Sequence, residues 1–402
     1  MKTIRDIFRI GYGPSSSHTM GPRKAAELFG EYCANAARYQ VHLYGSLSAT
    51  GKGHLTDVAI LDVLPTAEIV WHEEFLPFHP NGMRFCAWNE AEDLMGDWTV
   101  YSVGGGALEE DPDSIRLLGD EEKGTRDIYP LSRLSDIKEH CDQMGWDYWE
   151  YVEHYEGKEI WDYLREVWQV MREAVERGLD HEGVLPGPLH LRRKAASYYI
   201  KVAGYKDNLR TRGLVFSYAL AVSEENASGG KIVTAPTCGS CGVLPAVLYH
   251  TWRSRDFSET RILHALATAG LIGNVVKENA SISGAEVGCQ GEVGVACAMA
   301  SGAVNQLFGG TLAQIEYAAE MGLEHHLGMT CDPVCGLVQI PCIERNAFAA
   351  ARALDSNMYA AFSDGTHNVT FDRVVDVMKQ TGHDLPSLYK ETSQGGLAAT
   401  HE

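Results

Sequence analysis

The sequence lacks the long apolar runs that a membrane protein needs. No uncharged apolar stretch among its 402 residues reaches the roughly 18 residues that a bilayer-spanning helix requires. The first nine residues mix charged and apolar side chains too closely for the apolar core of a secretory signal. We therefore expect a cytoplasmic protein whose cysteines stay reduced.

Basic residues are also scarce. The chain has 34 Lys and Arg against 54 Asp and Glu, which gives a formal net charge of −20 at pH 7. Such a field repels phosphate backbones and anionic lipid head groups, so we expect neither nucleic acid nor a membrane surface as a partner. A small anionic substrate remains compatible, because local donors can reverse the field inside a site.

The chain also has no tandem repeat, coiled coil or low-complexity tract. A helix is predicted over residues 19–36, and strands are predicted where apolar residues alternate or run together. The predicted strands are residues 41–44, 57–64, 83–88 and 98–103. This first part of the chain is therefore predicted to be mixed α/β.

The rest of the chain shows helical spacing. The acidic segment 107–180 contains Ile160, Leu164 and Trp168 at the spacing of an amphipathic helix. Helices are also predicted over 256–277, where Asp256 and Glu259 resemble a capping box, and over 291–307. The fold class is thus α+β. Its domains are a mixed α/β domain (1–150), a helical connector (151–182) and an all-helical domain (183–402).

A serine-rich loop precedes the first predicted helix. Ser15, Ser16, Ser17, His18 and Thr19 place hydroxyls next to the free N–H groups of a helix start, which suits a carboxylate or a phosphate. His18 adds a group that titrates near neutral pH. A simple Ser/Thr N-cap after a turn explains the same residues, so the motif alone leaves both interpretations open.

Seven of the ten cysteines lie between residues 238 and 342. Cys238 and Cys241 have C-x-x-C spacing, Cys331 and Cys335 have C-x-x-x-C spacing, and Cys289, Cys297 and Cys342 stand alone. A structural zinc site, a dithiol redox couple, an iron–sulfur cluster and buried inert thiols all fit this spacing.

The neighbours of these cysteines favour a reactive site over a zinc knuckle. Glycines flank Cys289 in the sequence GCQGEVG, which lets backbone amides come close to a cluster. Polar residues are dense in the same region. They are Glu286, Glu292, His325, His326, Glu344 and Arg345.

Several segments together resemble one family, the iron–sulfur-dependent L-serine dehydratases, or L-serine ammonia-lyases. The matching segments span nearly the whole chain in family order. They are residues 13–22 (GPSSSHTMGP), 79–83 (HPNGM), 102–106 (SVGGG), 185–187 (LPG), 234–237 (TAPT), 283–294 (SGAEVGCQGEVG), 325–333 (HHLGMTCDP), 343–346 (IERN) and 391–397 (ETSQGGL).

The resemblance implies deamination of L-serine to pyruvate and ammonia, by a homodimer, with the site between an α/β domain and a helical domain. It implies a 4Fe-4S cluster on Cys289, Cys331 and Cys342. His18 is our first candidate for the general base, with Lys277 and Glu286 as alternatives. The implied substrate-binding residues are Ser15, Ser16, Ser17, Thr19, His79, Asn81 and Gly105.

Two features depart from the family pattern. Members usually carry small or amide residues where this chain has Cys238 and Cys241, so the role of this pair is open. Some members end in a cysteine that reaches the cluster, whereas the last eight residues here contain none, although they include His401. We therefore expect the fourth iron to be open and bound by water.

Other functions stay compatible with the sequence. The substrate could be L-threonine or L-cysteine, since one methyl group is discriminated by only about 1–3 kcal/mol in an apolar pocket. A pyridoxal-phosphate dehydratase would run the same reaction, but no clear Schiff-base lysine motif is present. An iron–sulfur sensor or a zinc-stabilised binding protein without turnover is the alternative from a different class.

Overall fold

The computed structural model describes residues 1–119, 127–391 and 395–400. These residues form two compact units. The smaller unit contains residues 12–119, and the larger one contains residues 1–11 together with the described residues from 127 onward. Within the described residues, no helix is both long and apolar enough to span a membrane.

The described residues contain seven strands and fifteen α-helices. The strands are β1 (Ile10–Tyr12), β2 (Arg38–Leu43), β3 (Glu68–Trp71), β4 (Gly82–Trp88), β5 (Leu94–Ser102), β6 (Leu108–Glu110) and β7 (Lys231–Val233). The helices are α1 (Gly21–Tyr32), α2 (Gly45–Thr50), α3 (Thr56–Leu61), α4 (Leu134–Met144), α5 (Tyr148–Glu156), α6 (Ile160–Asp180), α7 (Ala195–Val202), α8 (Asp207–Ala227), α9 (Val243–Arg255), α10 (Glu259–Asn279), α11 (Gly284–Val287), α12 (Val295–Leu307), α13 (Leu312–Glu324), α14 (Cys342–Ala361) and α15 (Phe371–Asp384).

The smaller unit is built on a five-stranded sheet in the order β3-β2-β4-β5-β6. The β2–β3 pair is parallel and the other pairs are antiparallel. Buried and partly exposed residues alternate along β2, so one face of the sheet carries the core. Phe29 of α1 packs there against Phe85 and Trp98, its ring parallel to that of Trp98.

The larger unit is helical around α12. Almost every residue of this helix is buried, and α10, α13 and α14 pack around it. Small residues make the close approach feasible. A Cβ on Gly302, for example, would lie 2.3 Å from Ile272 Cδ1 of α10. The short strands β1 and β7 pair with each other, and β7 packs against α6 and α8.

The predicted α+β class is confirmed, with the mixed sheet in the N-terminal region and helices in the C-terminal part. The predicted strand over 57–64 is wrong, because this segment contains α3. Its buried residues Thr56, Ala59 and Ile60 follow helical spacing, while Val58 is 47% exposed. A short apolar run does not distinguish these two structures by itself.

The predicted capping box at Asp256 is also wrong. Asp256 ends α9 in the left-handed conformation, with φ of 53°. The N-cap of α10 is Ser258, whose hydroxyl accepts from the Arg261 N–H. The predicted domain limits, 1–150, 151–182 and 183–402, stay a prediction.

Candidate functional site

The three cysteines assigned to the cluster lie on different elements of the larger unit. Cys289 stands immediately before the π-helical turn Gln290–Gly294, and Cys342 is the first residue of α14. Cys331 lies in an extended segment, where its N–H donates to the Tyr389 carbonyl at 2.8 Å. All three are buried, with exposed fractions of 2%, 8% and 3% for Cys289, Cys342 and Cys331.

These three thiols influence one another's ionisation. A hydrogen bond to Cys289, together with burial, raises the pKa of Cys331 well above its usual value. Burial, followed by the charge of Cys289, raises the pKa of Cys342 in the same way. A metal would offset both effects, because metal ligation favours the thiolate.

Glu292 lies among the cysteines. Its Oε2 atom is 3.8 Å from Cys289 Sγ and 4.0 Å from Cys331 Sγ. The three potential ligand atoms all lie within 4.8 Å of one another. Thr237 donates a 2.7 Å hydrogen bond to Oε1, and removal from water raises the pKa of this carboxyl. We call Cys289, Glu292, Cys331 and Cys342 the cysteine centre.

Two glycines leave space beside this carboxylate. A Cβ on Gly284 would lie 2.6 Å from Glu292 Oε2 and 3.2 Å from Cys331 Sγ. A Cβ on Gly239 would lie 3.1 Å from Glu292 Oε1. Any side chain at position 284 would therefore occupy the space next to the thiols.

Arg345 supplies positive charge to the cysteine centre. Its Nη1 donates to the Thr330 carbonyl at 2.7 Å, and its Nη2 lies 3.4 Å from Asp332 Oδ1. Burial opposes the guanidinium charge, but the nearby Cys289 and Cys342 offset this penalty and raise the pKa of Arg345. In turn, Arg345 partly counters the rise in the pKa of Cys342.

The unusual C-x-x-C segment lies beside the same centre. Asn346, one turn after Cys342, donates to the Gly239 carbonyl at 2.7 Å and to the Cys342 carbonyl at 2.8 Å. Its side-chain oxygen accepts from the Gly242 N–H at 2.9 Å. Cys238 and Cys241 are both buried, and burial raises the pKa of Cys241. Asn346 thus ties this segment to the helix that begins at Cys342.

The alternative bases, Lys277 and Glu286, have their contacts outside the cysteine centre. Lys277 pairs with Asp6 at 3.3 Å, and burial lowers its pKa. Glu286 is exposed and accepts a short hydrogen bond from Ser281. Among the hydrogen bonds and ion pairs given for the described residues, none joins Lys277 or Glu286 to the cysteine centre. Their catalytic roles stay predictions.

The serine loop of the smaller unit forms a π-helical turn, Ser16–Met20, in front of α1. Ser15 caps this turn, because its hydroxyl accepts from the His18 N–H at 3.1 Å. Thr19 accepts from the Ser15 N–H at 3.1 Å and donates to the His54 carbonyl at 2.7 Å. The predicted N-cap is therefore present, and the loop is fixed by its own hydroxyls.

His18 lies in what we call the histidine cluster, which is formed by His18, Ser46 and His54. Its Nε2 atom is 3.0 Å from Ser46 Oγ, and its ring centroid is 4.5 Å from that of His54. Burial, followed by the charges of His54 and His79, holds the pKa of His18 well below 6.5. Burial lowers the pKa of His54 to about 4. Both imidazoles are therefore neutral at pH 7.

Several buried polar atoms of the smaller unit have no hydrogen-bond partner among the described residues. They are His18 Nδ1, Arg38 Nε, His54 Nε2, Asn81 Oδ1, Trp98 Nε1 and Ser102 Oγ. Buried polar atoms are normally hydrogen-bonded. A polar ligand that pairs with such atoms accounts for them better than a purely structural role does.

The second predicted binding segment reaches the start of α1. Asn81 donates to the Ser102 carbonyl at 3.2 Å, and its own N–H donates to His79 Nδ1 at 3.1 Å. A Cβ on Gly21 would lie 2.3 Å from Ser102 Oγ, so the first turn of α1 comes close to this serine. Gly105 lies in the β5–β6 turn with φ of 59°.

Sequence reasoning assigned no role to Ser46, His54, Ser102, Thr237 and Glu292. Glu292 and its neighbour Arg345 stood out as polar residues near the cysteines, and Ser102 lies in the matching segment 102–106. Thr237 lies in the matching segment 234–237, but its contact with Glu292 joins residues 55 positions apart and no local pattern indicates it.

Comparisons with known proteins cover almost the whole chain. The sequence profile of the serine dehydratase beta chain matches residues 3–65, and that of the serine dehydratase alpha chain matches residues 78–398. The cysteine centre lies in the alpha-chain match, and His18 lies in the beta-chain match.

Curated relatives match over nearly their full length. The chain is 42% identical to the L-serine dehydratase TdcG of Escherichia coli, over 98% of both chains. It is 40% identical to an L-serine dehydratase of Haemophilus influenzae over 99% of both chains, and 41% identical to one of Streptomyces coelicolor over 98% of both. The chain therefore belongs to the L-serine dehydratase family and carries the alpha-chain and beta-chain regions in one polypeptide.

Proposed function

We propose that this protein is an L-serine ammonia-lyase that converts L-serine to pyruvate and ammonia with the help of a 4Fe-4S cluster. The observation that carries this proposal is the proximity of three buried cysteines from separate elements: Cys331 is hydrogen-bonded to Cys289, and the charge of Cys289 acts on Cys342. The names of the curated relatives support the same substrate and reaction.

The residues of the cysteine centre fit an iron–sulfur cluster. Thiolates are the usual protein ligands of such clusters, and the glycine at position 284 keeps the space next to Cys331 clear. Arg345 provides a positive charge against the excess negative charge of several thiolates. When bound by three thiolates, the cluster supplies a Lewis-acidic iron that makes hydroxide a better leaving group.

The serine loop suits the carboxylate of an amino acid. Ser16 and Ser17 begin the helical turn that leads into α1, where free N–H groups and the helix dipole favour an anion. The unpartnered oxygens Asn81 Oδ1 and Ser102 Oγ add an acceptor and a hydroxyl in the same unit. We assign substrate binding to this loop together with Asn81.

His18 is the residue we assign as general base. Its lowered pKa keeps the imidazole neutral, so that it can accept a proton at pH 7. When Nε2–H donates to Ser46 Oγ, the lone pair is on Nδ1, which is the ring nitrogen with no partner among the described residues. The proton of the substrate Cα would then move to Nδ1.

The reaction balances with this one base. The electron pair of the Cα–H bond forms a carbon–carbon double bond as hydroxide leaves Cβ, and the lost proton and hydroxide together make water. The resulting aminoacrylate tautomerises to an imine, and hydrolysis of the imine gives pyruvate and ammonia. No external oxidant or reductant is consumed.

Anaerobic purification tests the proposal. We expect a brown protein with about four irons per chain that forms pyruvate from L-serine and loses activity in air. Active protein without iron would exclude the cluster.

A panel of L-serine, L-threonine and L-cysteine tests the substrate. The absorbance of the pure protein separates a pyridoxal-phosphate enzyme from an iron–sulfur one. A stable cluster without turnover on this panel would favour a sensor.

We also propose that the protein forms a homodimer and acts in the cytoplasm. Large apolar side chains of α14 and of its C-cap Phe362 are exposed, with Phe348, Tyr359 and Phe362 at 68%, 63% and 85%. Such a surface supports self-association, which sedimentation analysis measures.

The proposal of a cytoplasmic location has separate support. Each of the ten cysteines is a free thiol, which agrees with a reducing compartment.

A further inference from the structure

The cysteine centre contains a carboxylate close enough to Cys289 and Cys331 to share a metal with them. Within the described residues, the set of His, Cys, Asp and Glu side chains close enough to share a metal ion is Cys289, Glu292 and Cys331. Glu292 is three residues after Cys289 on the π-helical turn Gln290–Gly294, so the same turn fixes both side chains.

The orientation of the Glu292 carboxylate is set by its hydrogen bond. Thr237 donates to Oε1 at 2.7 Å, while Oε2 lies 3.8 Å from Cys289 Sγ and 4.0 Å from Cys331 Sγ. One oxygen is therefore occupied by the protein, and the other faces the thiols. A partner that orients one oxygen while the other binds metal is typical of carboxylate ligands.

The space around this oxygen is kept clear by glycine. A Cβ on Gly284 would lie 2.6 Å from Oε2 and 3.2 Å from Cys331 Sγ, so even alanine would crowd both groups. The charge of Arg345 favours the ionised Glu292 carboxylate, while the guanidinium itself pairs with the Thr330 carbonyl and Asp332. The carboxylate thus remains available to a cation.

Other potential ligands lie in the neighbourhood. The Glu391 N–H donates to the Cys331 carbonyl at 2.7 Å, and the charge of Glu391 contributes to the raised pKa of Cys331 and Cys342. Among the described residues, however, the group whose ligand atoms lie within 4.8 Å of one another contains Glu292 and not Glu391. His325 lies 3.0 Å from Glu324, and His326 Nδ1 donates to the Gly322 carbonyl at 2.7 Å. His401, the remaining candidate from the sequence, lies outside the described residues.

We infer that the Oε2 atom of Glu292 binds the fourth iron of the cluster in the substrate-free enzyme. This inference rests on the cluster of the proposed function and changes the expectation of a water-bound iron. An oxygen ligand binds iron of a cluster less strongly than a thiolate does, so a substrate oxygen can replace it without breaking an iron–thiolate bond.

Retention of the fourth iron tests this inference without measuring turnover. Wild-type enzyme, Glu292→Gln and the control Glu278→Gln would be purified anaerobically and treated with dilute ferricyanide and EDTA. Glu278 is an exposed residue near the end of α10, so its variant controls for loss of a carboxylate. Iron analysis and the EPR signal of the three-iron cluster would be followed over time.

We expect Glu292→Gln to lose its fourth iron about tenfold faster or more than wild type and Glu278→Gln, as ligand-shell changes typically cause. In Mössbauer spectra of enzyme whose fourth site carries ⁵⁷Fe, the wild-type fourth iron should have the higher isomer shift of an oxygen-bound iron. The isomer shift of the fourth iron should change in Glu292→Gln, because the amide replaces the carboxylate ligand.

The outcomes separate the inference from the proposed function. Equal retention of the fourth iron in all three proteins would overturn the role of Glu292 and leave the cluster intact. Wild-type protein with one zinc or no metal would instead overturn the cluster. If Glu292→Gln does not fold, Thr237→Val tests the inference instead, because it removes the hydrogen bond to Oε1. Faster loss of iron in Thr237→Val, with normal retention in Thr237→Ser, supports the inference. Wild-type retention of iron in Thr237→Val contradicts it.

Discussion

The cysteine centre of the larger unit and the histidine cluster of the smaller unit are both buried, and burial acts on their pKa values in opposite directions. It raises the pKa of Cys331 and Cys342, whereas it lowers the pKa of His18 and His54. In both places the neutral form is favoured, because a low-dielectric environment penalises charge.

The same physical effect thus prepares two different chemistries. A neutral imidazole is already a proton acceptor, so His18 has the protonation state that the proposed base requires. A neutral thiol is a poor ligand, so the cysteine centre depends on a metal to become ionised. In the proposed function, the smaller unit therefore holds its base in the required protonation state, while the larger unit would acquire its reactivity from the cluster.

The largest effect is expected from removing a cluster ligand. Cys342→Ala should abolish both the brown colour and pyruvate formation, because two thiolates are too few to hold the cluster. Cys335→Ala is the matched control, since Cys335 lies in the same region and is exposed. Iron content and activity of the two variants check this. Iron retained at wild-type level in Cys342→Ala would remove Cys342 from the centre.

Parts of this centre could be predicted from the sequence and parts could not. Cys289, Cys331 and Cys342 were separated from four neighbouring cysteines by resemblance to a family, because spacing alone fits zinc, redox or burial. The hydrogen bond from Thr237 to Glu292 joins the segment that follows β7 to the turn that precedes α12. Only tertiary packing brings these two segments together. Local sequence patterns carry no information about it.

The same limit explains the results for the fold. Strands over 83–88 and 98–103 were predictable, because β4 and β5 carry clear runs of apolar residues. The strand prediction for residues 57–64 was wrong, because a short apolar run fits a strand and a buried helix equally well. His54 was missed for a related reason: its partner His18 is distant in sequence, and the two rings meet only after folding.

The second prediction separates the two sites functionally. His18→Gln should lower kcat by about 10²–10⁴-fold, which is the usual contribution of a general base, while iron content and the cluster spectrum stay unchanged. His72→Gln is the control, because His72 belongs to another histidine pair of the smaller unit. Kinetics and iron analysis on the same preparations measure this. Loss of iron in His18→Gln would break the comparison between a ready base and a cofactor-dependent centre.

The smallest effect is a difference in how the two units respond to acid. The pKa of His54 is about 4 in the folded protein against 6.5 ordinarily. Between these values the unfolded chain binds a proton that the folded chain does not, so stability falls as pH decreases. From pH 6.5 to pH 5 this amounts to about 2 kcal/mol, and His18 adds to it in the same direction.

The larger unit contains an opposing group. Burial, followed by the charges of Glu324 and Glu316, raises the pKa of Glu320 to about 7. Acidification from pH 7 therefore stabilises the folded form of the larger unit. This gain offsets the loss of stability caused by His326, whose pKa is lowered by burial to about 4.

Hydrogen exchange measures the difference between the two units. Exchange of β4 and β5 should show a larger loss of protection at pH 5 than exchange of α12 and α13. His54→Asn should reduce that loss, and the exposed control His383→Asn should leave it unchanged. Equal losses in both units would show that burial of the histidines does not set the acid sensitivity of the smaller unit.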